Sequence, residues 1–130
     1  AGAHGVHVGE EDLPVEDARR ICCEMRMVGV STHNVEEVRV ANTTSADYLA
    51  VGPIFATRSK VKANPVVGLD FVRRARELTR KPLVAIGGIT LANAPEVIRD
   101  GADMVGAISA VVTQTDVHGE IEQFQALFRE

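Results

Sequence analysis

The chain has 130 residues, of which 45% are hydrophobic and 25% charged, a composition typical of one globular domain and not of a disordered or fibrous protein. A net charge of −4 with no block of Lys and Arg, one Tyr and no Trp argue against a nucleic-acid-binding protein. No apolar run approaches the length of a membrane helix and no signal peptide is recognisable, so we expect a single cytoplasmic domain over residues 1–130.

Five short runs rich in Val, Ile, Leu and Ala predict β-strands. Each run is followed by Gly or Ser and then by a segment with helical spacing of apolar residues. Continuous apolar runs are typical of strands that are buried on both faces of a parallel sheet. The predicted strands are 6–8, 27–30, 48–51, 83–86 and 104–108.

The segments after the strands predict five helices. The first follows Pro14 and presents the apolar stripe Val15, Ala18, Ile21, Cys22 and Met25, so Cys22 and the adjacent Cys23 are interpreted as packing residues. The second begins with the capping-box pair Asn34 and Glu37, and its apolar residues are Val35, Val38 and Val40. The others are marked by Leu69 to Leu78, by Asn93 and Pro95 with a stop at Gly101, and by Ile121, Phe124, Leu127 and Phe128.

A weak internal repeat supports a chain of βα units. Residues 2–4, 45–47 and 101–103 each place a small residue and Ala directly before a strand. Alternating strands and helices predict a parallel α/β fold, either part of a (βα)₈ barrel or an open flavodoxin-like sheet. A closed barrel needs eight units and typically about 250 residues, so five units make only part of one.

The polar and glycine-rich segments all follow predicted strands, at the edge where α/β folds bind ligands. Gly87, Gly88 and the pair Ile108–Ser109 suit a phosphate site because backbone N–H groups at such turns bind anions. The alternative is that these glycines only permit tight turns. In the long loop 52–60, Thr57, Ser59 and Lys60 offer hydroxyls and a cation to a phosphate, unless the loop is merely solvated.

Asp12 follows the first strand beside two glutamates and is a candidate Mg²⁺ ligand, since this ion is often bound by one or two carboxylates and substrate phosphates. A helix N-cap is the alternative role for Asp12. His33 is either a general base or a packing residue, and His7, inside a strand, is expected to be packed. His4 and His118 give no signal of a site.

Six segments resemble, in order and with appropriate spacing, successive motifs of the thiamine phosphate synthase family. They are GVHVGEEDLP, GVSTHN, ADYLAVGPIFATRSK, PVVGL, PLVAIGGIT and GADMVGAISA, within residues 1 to about 115. The family fold is a (βα)₈ barrel, so the resemblance implies that this chain supplies strands four to eight. The implied reaction couples hydroxymethylpyrimidine pyrophosphate with a thiazole phosphate and releases pyrophosphate, with Mg²⁺ as cofactor.

The resemblance also implies roles for individual residues. Asp12 would bind Mg²⁺, and Ser31 and Lys60 would contact the pyrophosphate as the catalytic residues. Thr57 and Ser59 would face the thiazole, and its phosphate would be bound by Gly88, Ile108 and Ser109. The leaving pyrophosphate gathers negative charge, so its electrostatic stabilisation is the expected source of catalysis.

Two departures from the family pattern limit this prediction. Glu10 and Ser59 stand where the family has Gln and Thr, and the early Gln-x-Arg-x-Lys and Asn-Asp-Asp motifs are absent from the chain. We therefore expect the chain alone to be a poor catalyst that forms a homo-oligomer or pairs with the segment carrying those motifs. Alternatives are a thiazole tautomerase with His33 as general base, and a non-catalytic phosphate-binding half-barrel.

Overall fold

A computed structural model describes residues 2–23, 25–57 and 64–129. The strands are β1 Gly5–Val8, β2 Met27–Thr32, β3 Tyr48–Val51, β4 Leu83–Ile86 and β5 Met104–Gly106. The helices are α1 Val15–Cys22, α2 Val35–Thr43, α3 Leu69–Leu78, α4 Ala94–Arg99, α5 Ser109–Val112 and α6 Val117–Ala126. None of the helices in these ranges has the length and hydropathy needed to cross a membrane.

The five strands form one parallel sheet in the order β1-β2-β3-β4-β5, so each strand lies beside the next one in sequence. A flavodoxin-like sheet would reverse its strand order at a switch point, and this sheet does not. Sequential parallel strands joined by helices are the arrangement of a (βα)₈ barrel. The predicted partial barrel of five βα units is therefore confirmed.

The two faces of the sheet differ in burial. Val28, Leu49 and Leu83 have no exposed surface and pack in one core with helix residues that include Val38, Val72 and Val97. The alternate residues of the strands are more open, and Met27 and Met104 keep 54% and 45% of their surface exposed. The helices thus cover one face, while the face that would line the interior of a barrel stays accessible.

The internal repeat has a structural counterpart at the amino-terminal edge of the sheet. Asp47, just before β3, accepts a hydrogen bond from Val28 N at 2.7 Å and donates its own N–H to Val28 O at 2.8 Å. Asp103, just before β5, makes the same two contacts with Leu83, at 2.8 and 2.9 Å. Each aspartate thus holds the start of the preceding strand through two hydrogen bonds, an arrangement that we call a clamp. In the repeat at residues 2–4, His4 stands in this position, and its carbonyl oxygen accepts a hydrogen bond from β2.

An arginine from a helix completes each clamp. Arg19 of α1 donates to Asp47 at 2.6 Å, and Arg76 of α3 donates to Asp103 at 2.8 Å. Hydrogen bonds from Arg19 hold the pKa of Asp47 below its usual value, and bonds from the backbone and hydroxyl of Ser45 lower the pKa of Glu16. The charges at this edge are therefore satisfied by neighbouring protein groups.

Some sequence predictions about packing were wrong. Helix α1 stops at Cys22, so Met25 lies beyond it and is 97% exposed, while Ile21 lies within the helix and is 69% exposed. Cys23 is exposed and has a φ of 65°. Val40 of α2 is exposed too, whereas the predicted Asn34–Glu37 cap is present, with Glu37 N donating to Asn34 Oδ1 at 2.9 Å. Strand β5 ends at Gly106 and not at residue 108, because the short helix α5 begins at Ser109.

Candidate functional site

The carboxyl-terminal edge of the sheet gathers the predicted site residues. Asp12 follows β1, Ser31 is the penultimate residue of β2, Gly88 follows β4 and Ser109 opens α5 directly after β5. Because all strands are parallel, these positions lie at the same edge of the sheet. The structure thus places these four residues at one edge of the sheet, while Ser59 and Lys60 lie outside the described part of the chain.

A cavity of about 240 Å³ opens at this edge, near the ends of β4 and β5 and beside the loop after β3. Four residues predicted to bind the thiazole phosphate line it, namely Thr57, Gly88, Ile108 and Ser109. His33 and Asn64 also contribute to its wall. Residues distant in sequence therefore converge on one concave surface, as expected of a ligand site.

The backbone at Gly88 is shaped by the loop that follows β3. Gly88 has a φ of 64°, and a Cβ added there would lie 2.5 Å from the carbonyl oxygen of Ala56. Its carbonyl accepts a hydrogen bond from Asn93 Nδ2 at 3.0 Å, which fixes the turn. Within the described ranges the N–H groups of Gly88 and Ser109 meet no acceptor, so both are available to an anion in the cavity.

Ser31 belongs to a hydrogen-bonded chain that the sequence analysis missed. His7 Nε2 lies 2.8 Å from Ser31 Oγ, and His7 Nδ1 lies 3.0 Å from the hydroxyl of Tyr48. The two rings stack with centroids 5.5 Å apart. The prediction that His7 is packed was wrong, since it is exposed on the open face of the sheet. Its position between Val6 and Val8 was the available signal, because neighbouring strand residues point to opposite faces.

His33 is half-buried at the wall of the cavity. Its Nδ1 lies 2.6 Å from the carbonyl oxygen of Gly52. A carbonyl only accepts, so Nδ1 carries the proton, and Nε2 of the neutral ring is left as an acceptor. This tautomer is the one that a general base would need, and it is also fully explained by the bond to Gly52.

Asp12 is exposed and closes a turn behind β1. Its Oδ2 accepts a hydrogen bond from Gly9 N at 2.7 Å, and Asp12 N donates to Gly9 O at 3.2 Å. The N-cap of α1 is Pro14, so the alternative role of Asp12 as helix N-cap is wrong. Among the described residues no group of three or more His, Cys, Asp and Glu side chains is placed to hold a metal.

Comparisons with known proteins agree with this picture. A family model described as thiamine monophosphate synthase matches residues 1–111. The thiamine-phosphate synthase of Koribacter versatilis is 56% identical over 109 residues, which cover 84% of this chain and 52% of that protein. That of Methanocella arvoryzae is 47% identical over 125 residues, 96% of this chain and 59% of that protein. The chain thus spans little more than half the length of these relatives.

Solved structures give the same result. A thiamine phosphate pyrophosphorylase from Pyrococcus furiosus is similar with a TM-score of 0.86 and 37% identity, over 97% of this chain and 59% of that one. A 3-hexulose-6-phosphate synthase from Salmonella typhimurium has a TM-score of 0.75 and 23% identity, over 98% of this chain and 62% of that one. The second likeness concerns the fold alone.

Proposed function

Because this chain belongs to the thiamine monophosphate synthase family, we propose that its protein couples hydroxymethylpyrimidine pyrophosphate with a thiazole phosphate to give thiamine phosphate and pyrophosphate. The observation that carries the proposal is the cavity at the carboxyl-terminal edge. Thr57, Gly88, Ile108 and Ser109, which the family resemblance assigns to the thiazole phosphate, all line it.

The thiazole phosphate is bound mainly by backbone donors. The N–H groups of Gly88 and Ser109 have no acceptor within the described residues, and they donate to the phosphate oxygens when it binds. Ile108, which is 61% exposed at the cavity beside Ser109, takes part in binding the same phosphate through its backbone. The hydroxyls of Thr57 and Ser59 face the thiazole and orient it.

In the reaction the bond between the pyrimidine methylene carbon and the pyrophosphate oxygen breaks, and its electron pair leaves with pyrophosphate. The thiazole nitrogen then donates its lone pair to the resulting carbocation, so no protein nucleophile is required. Lys60 and the Ser31 hydroxyl stabilise the charge on the leaving oxygens, an effect that is strong in a preorganised site. Ser31 is held for this role by its 2.8 Å contact with His7.

Asp12 would bind Mg²⁺ in the assembled site. Its carboxylate is exposed and is a hard oxygen ligand, and its Oδ2 is fixed by Gly9 N. A single carboxylate beside substrate phosphates is a common way to bind this ion. When bound, Mg²⁺ would supply positive charge to the departing pyrophosphate.

We also infer that the protein is cytoplasmic and that the edges of β1 and β5 are covered in the functional assembly. Within the described residues neither strand has a second neighbour, and such edges favour pairing with further strands. The cover is either the remaining strands of the barrel or a second copy of the chain.

A pyrophosphate-release assay on the full-length protein, with both substrates and Mg²⁺, tests the proposal. We expect release that requires both substrates and forms thiamine phosphate in equal amount. Isomerisation of the thiazole without coupling would instead identify a tautomerase that uses His33. Phosphate binding without either reaction would identify a non-catalytic barrel.

A further inference from the structure

We infer that Tyr48 is a positioning residue: its hydroxyl donates to His7 Nδ1, which fixes His7 as the Nε2–H tautomer and directs the Ser31 hydroxyl proton toward the leaving pyrophosphate. The inference rests on the proposed function for its catalytic consequence. Its structural part stands on the His7, Ser31 and Tyr48 contacts alone.

The direction of the hydrogen bonds follows from the donors and acceptors present. A neutral imidazole has one N–H and one acceptor nitrogen, so the contacts with Tyr48 and Ser31 must run in the same direction along the chain. Among residues 2–23, 25–57 and 64–129 the Tyr48 hydroxyl meets no acceptor other than His7 Nδ1. Donation from Tyr48 to Nδ1 therefore satisfies the hydroxyl and leaves Nε2–H to donate to Ser31 Oγ.

The consequence for Ser31 is chemical. A serine hydroxyl that accepts from Nε2–H keeps its own proton for another acceptor, and the oxygens of pyrophosphate are strong acceptors. In the opposite tautomer Ser31 would donate to His7 and turn lone pairs toward an anion. Only the first arrangement makes Ser31 useful in the proposed reaction.

Gly29 makes this arrangement possible. A Cβ at Gly29 would lie 2.0 Å from Cζ and 2.4 Å from the hydroxyl oxygen of Tyr48, so the ring occupies the space of a missing side chain. Tyr48 is paired with Gly29 in the sheet register, and His7 is the partner of Gly29 on the other side. The ring thus crosses β2 over a glycine to reach His7. Burial raises the pKa of Tyr48, which keeps the hydroxyl protonated as a donor.

Nitrogen-15 NMR of the histidine rings in the full-length protein tests the inference, with His7 assigned by the signals lost in His7→Gln. We expect an Nε2–H tautomer in the wild type and a mixture in Tyr48→Phe. Gly29→Ala should resemble Tyr48→Phe, and if it fails to fold, Tyr48→Phe alone decides. Thr32→Val is the matched control, because it removes a buried hydroxyl of β2 that donates to Ala50 O and should leave His7 unchanged.

Kinetics give the second readout. Loss of one neutral hydrogen bond should lower kcat of Tyr48→Phe by about three- to tenfold, with KM for the thiazole phosphate unchanged. An Nδ1–H tautomer in the wild type, an unaltered tautomer in Tyr48→Phe, or an unaltered kcat in that variant would overturn the inference. A wild-type protein without coupling activity would refute the proposed function, while the tautomer measurement would still decide the direction of the hydrogen bonds.

Discussion

The two edges of the sheet use their polar groups in opposite ways. At the amino-terminal edge, Asp47 and Asp103 each bind a strand N–H and an arginine, and Lys81 donates to the carbonyls of Thr44 and Ala46 at 2.6 Å. At the carboxyl-terminal edge, the N–H groups of Gly88 and Ser109 meet no acceptor within the described residues. The polar groups named at the first edge are bound by the protein itself, and these two donors at the second edge are left unpaired beside the cavity in the described part of the chain.

The same types of polar group therefore have different roles at the two edges. Polar groups whose hydrogen bonds are filled by neighbouring backbone stabilise the fold, whereas available donors beside a cavity bind ligands. Substitutions at the amino-terminal edge should therefore change stability and spare catalysis. Substitutions at the carboxyl-terminal edge should lower catalysis and spare stability.

The largest difference in effect is expected between substitutions of two lysines. Lys60→Ala should lower kcat by roughly 10²- to 10³-fold, the usual effect of removing a group that stabilises developing charge. Lys81→Ala should leave kcat within about twofold and lower the free energy of unfolding by about 1–2 kcal/mol, because its two bonds to backbone carbonyls are lost. Pyrophosphate release measures kcat, and urea denaturation measures the free energy of unfolding. Equal losses of kcat in the two variants would contradict the prediction.

Two glycines with positive φ give the next comparison. Gly88→Ala should weaken thiazole phosphate binding by about ten- to a hundredfold, because the new Cβ would approach Ala56 O and the strained turn would displace its N–H. Gly68→Ala is the control, since its φ is 77° but a Cβ there meets nothing within 4 Å. Calorimetric titration should show full affinity in the control. Similar weakening in both variants would mean that backbone strain alone, and not the anion site, is measured.

The clamps at the amino-terminal edge should matter for stability alone. Asp103→Ala removes the acceptor of Leu83 N and of Arg76, and we expect the free energy of unfolding to fall by about 1–2 kcal/mol. At temperatures below its unfolding transition, the variant should have the kcat of the wild type. Chemical denaturation together with the coupling assay checks this, and a loss of kcat in the folded variant would contradict it.

A low pH should reduce the stability that the same edge contributes, and this is the smallest of the expected effects. Glu16 and Asp47 have lowered pKa values in the fold, so the unfolded chain binds more protons and their contribution is present above their unfolded pKa values near 4. It is lost as the pH falls through the lower folded values. The melting temperature should drop over this range, and less so in Asp47→Asn. An identical pH dependence in that variant would rule out the clamp as a cause.

The apolar runs were sufficient to predict five parallel strands joined by helices, because such runs are local in the chain, whereas the choice of a partial barrel over an open sheet came from the family resemblance. The sequence was insufficient for His7, because its role depends on Tyr48 and Ser31, which lie on two other strands. The structural role of the Ala-Asp repeat could not be predicted either, because each aspartate binds the preceding strand and an arginine from an earlier helix. Contacts between distant segments cannot be inferred from spacing alone.

The exposure of Met25 was missed for a different reason. Helical periodicity predicts which residues share a face, but it does not predict where the helix ends. Helix α1 stops at Cys22, so Met25 lies beyond the helix and is 97% exposed. Helix ends depend on local backbone conformation, and the φ of 65° at Cys23, which ends α1, is not marked by a glycine in the sequence.

The most direct test of the division between the two edges is an amide NMR titration of the full-length protein with the thiazole phosphate. We predict large shifts for the N–H signals of Gly88 and Ser109. The N–H signals of Val28 and Leu83, which are bound by Asp47 and Asp103, should stay in place. Shifts at Val28 and Leu83 with none at Gly88 and Ser109 would contradict the account.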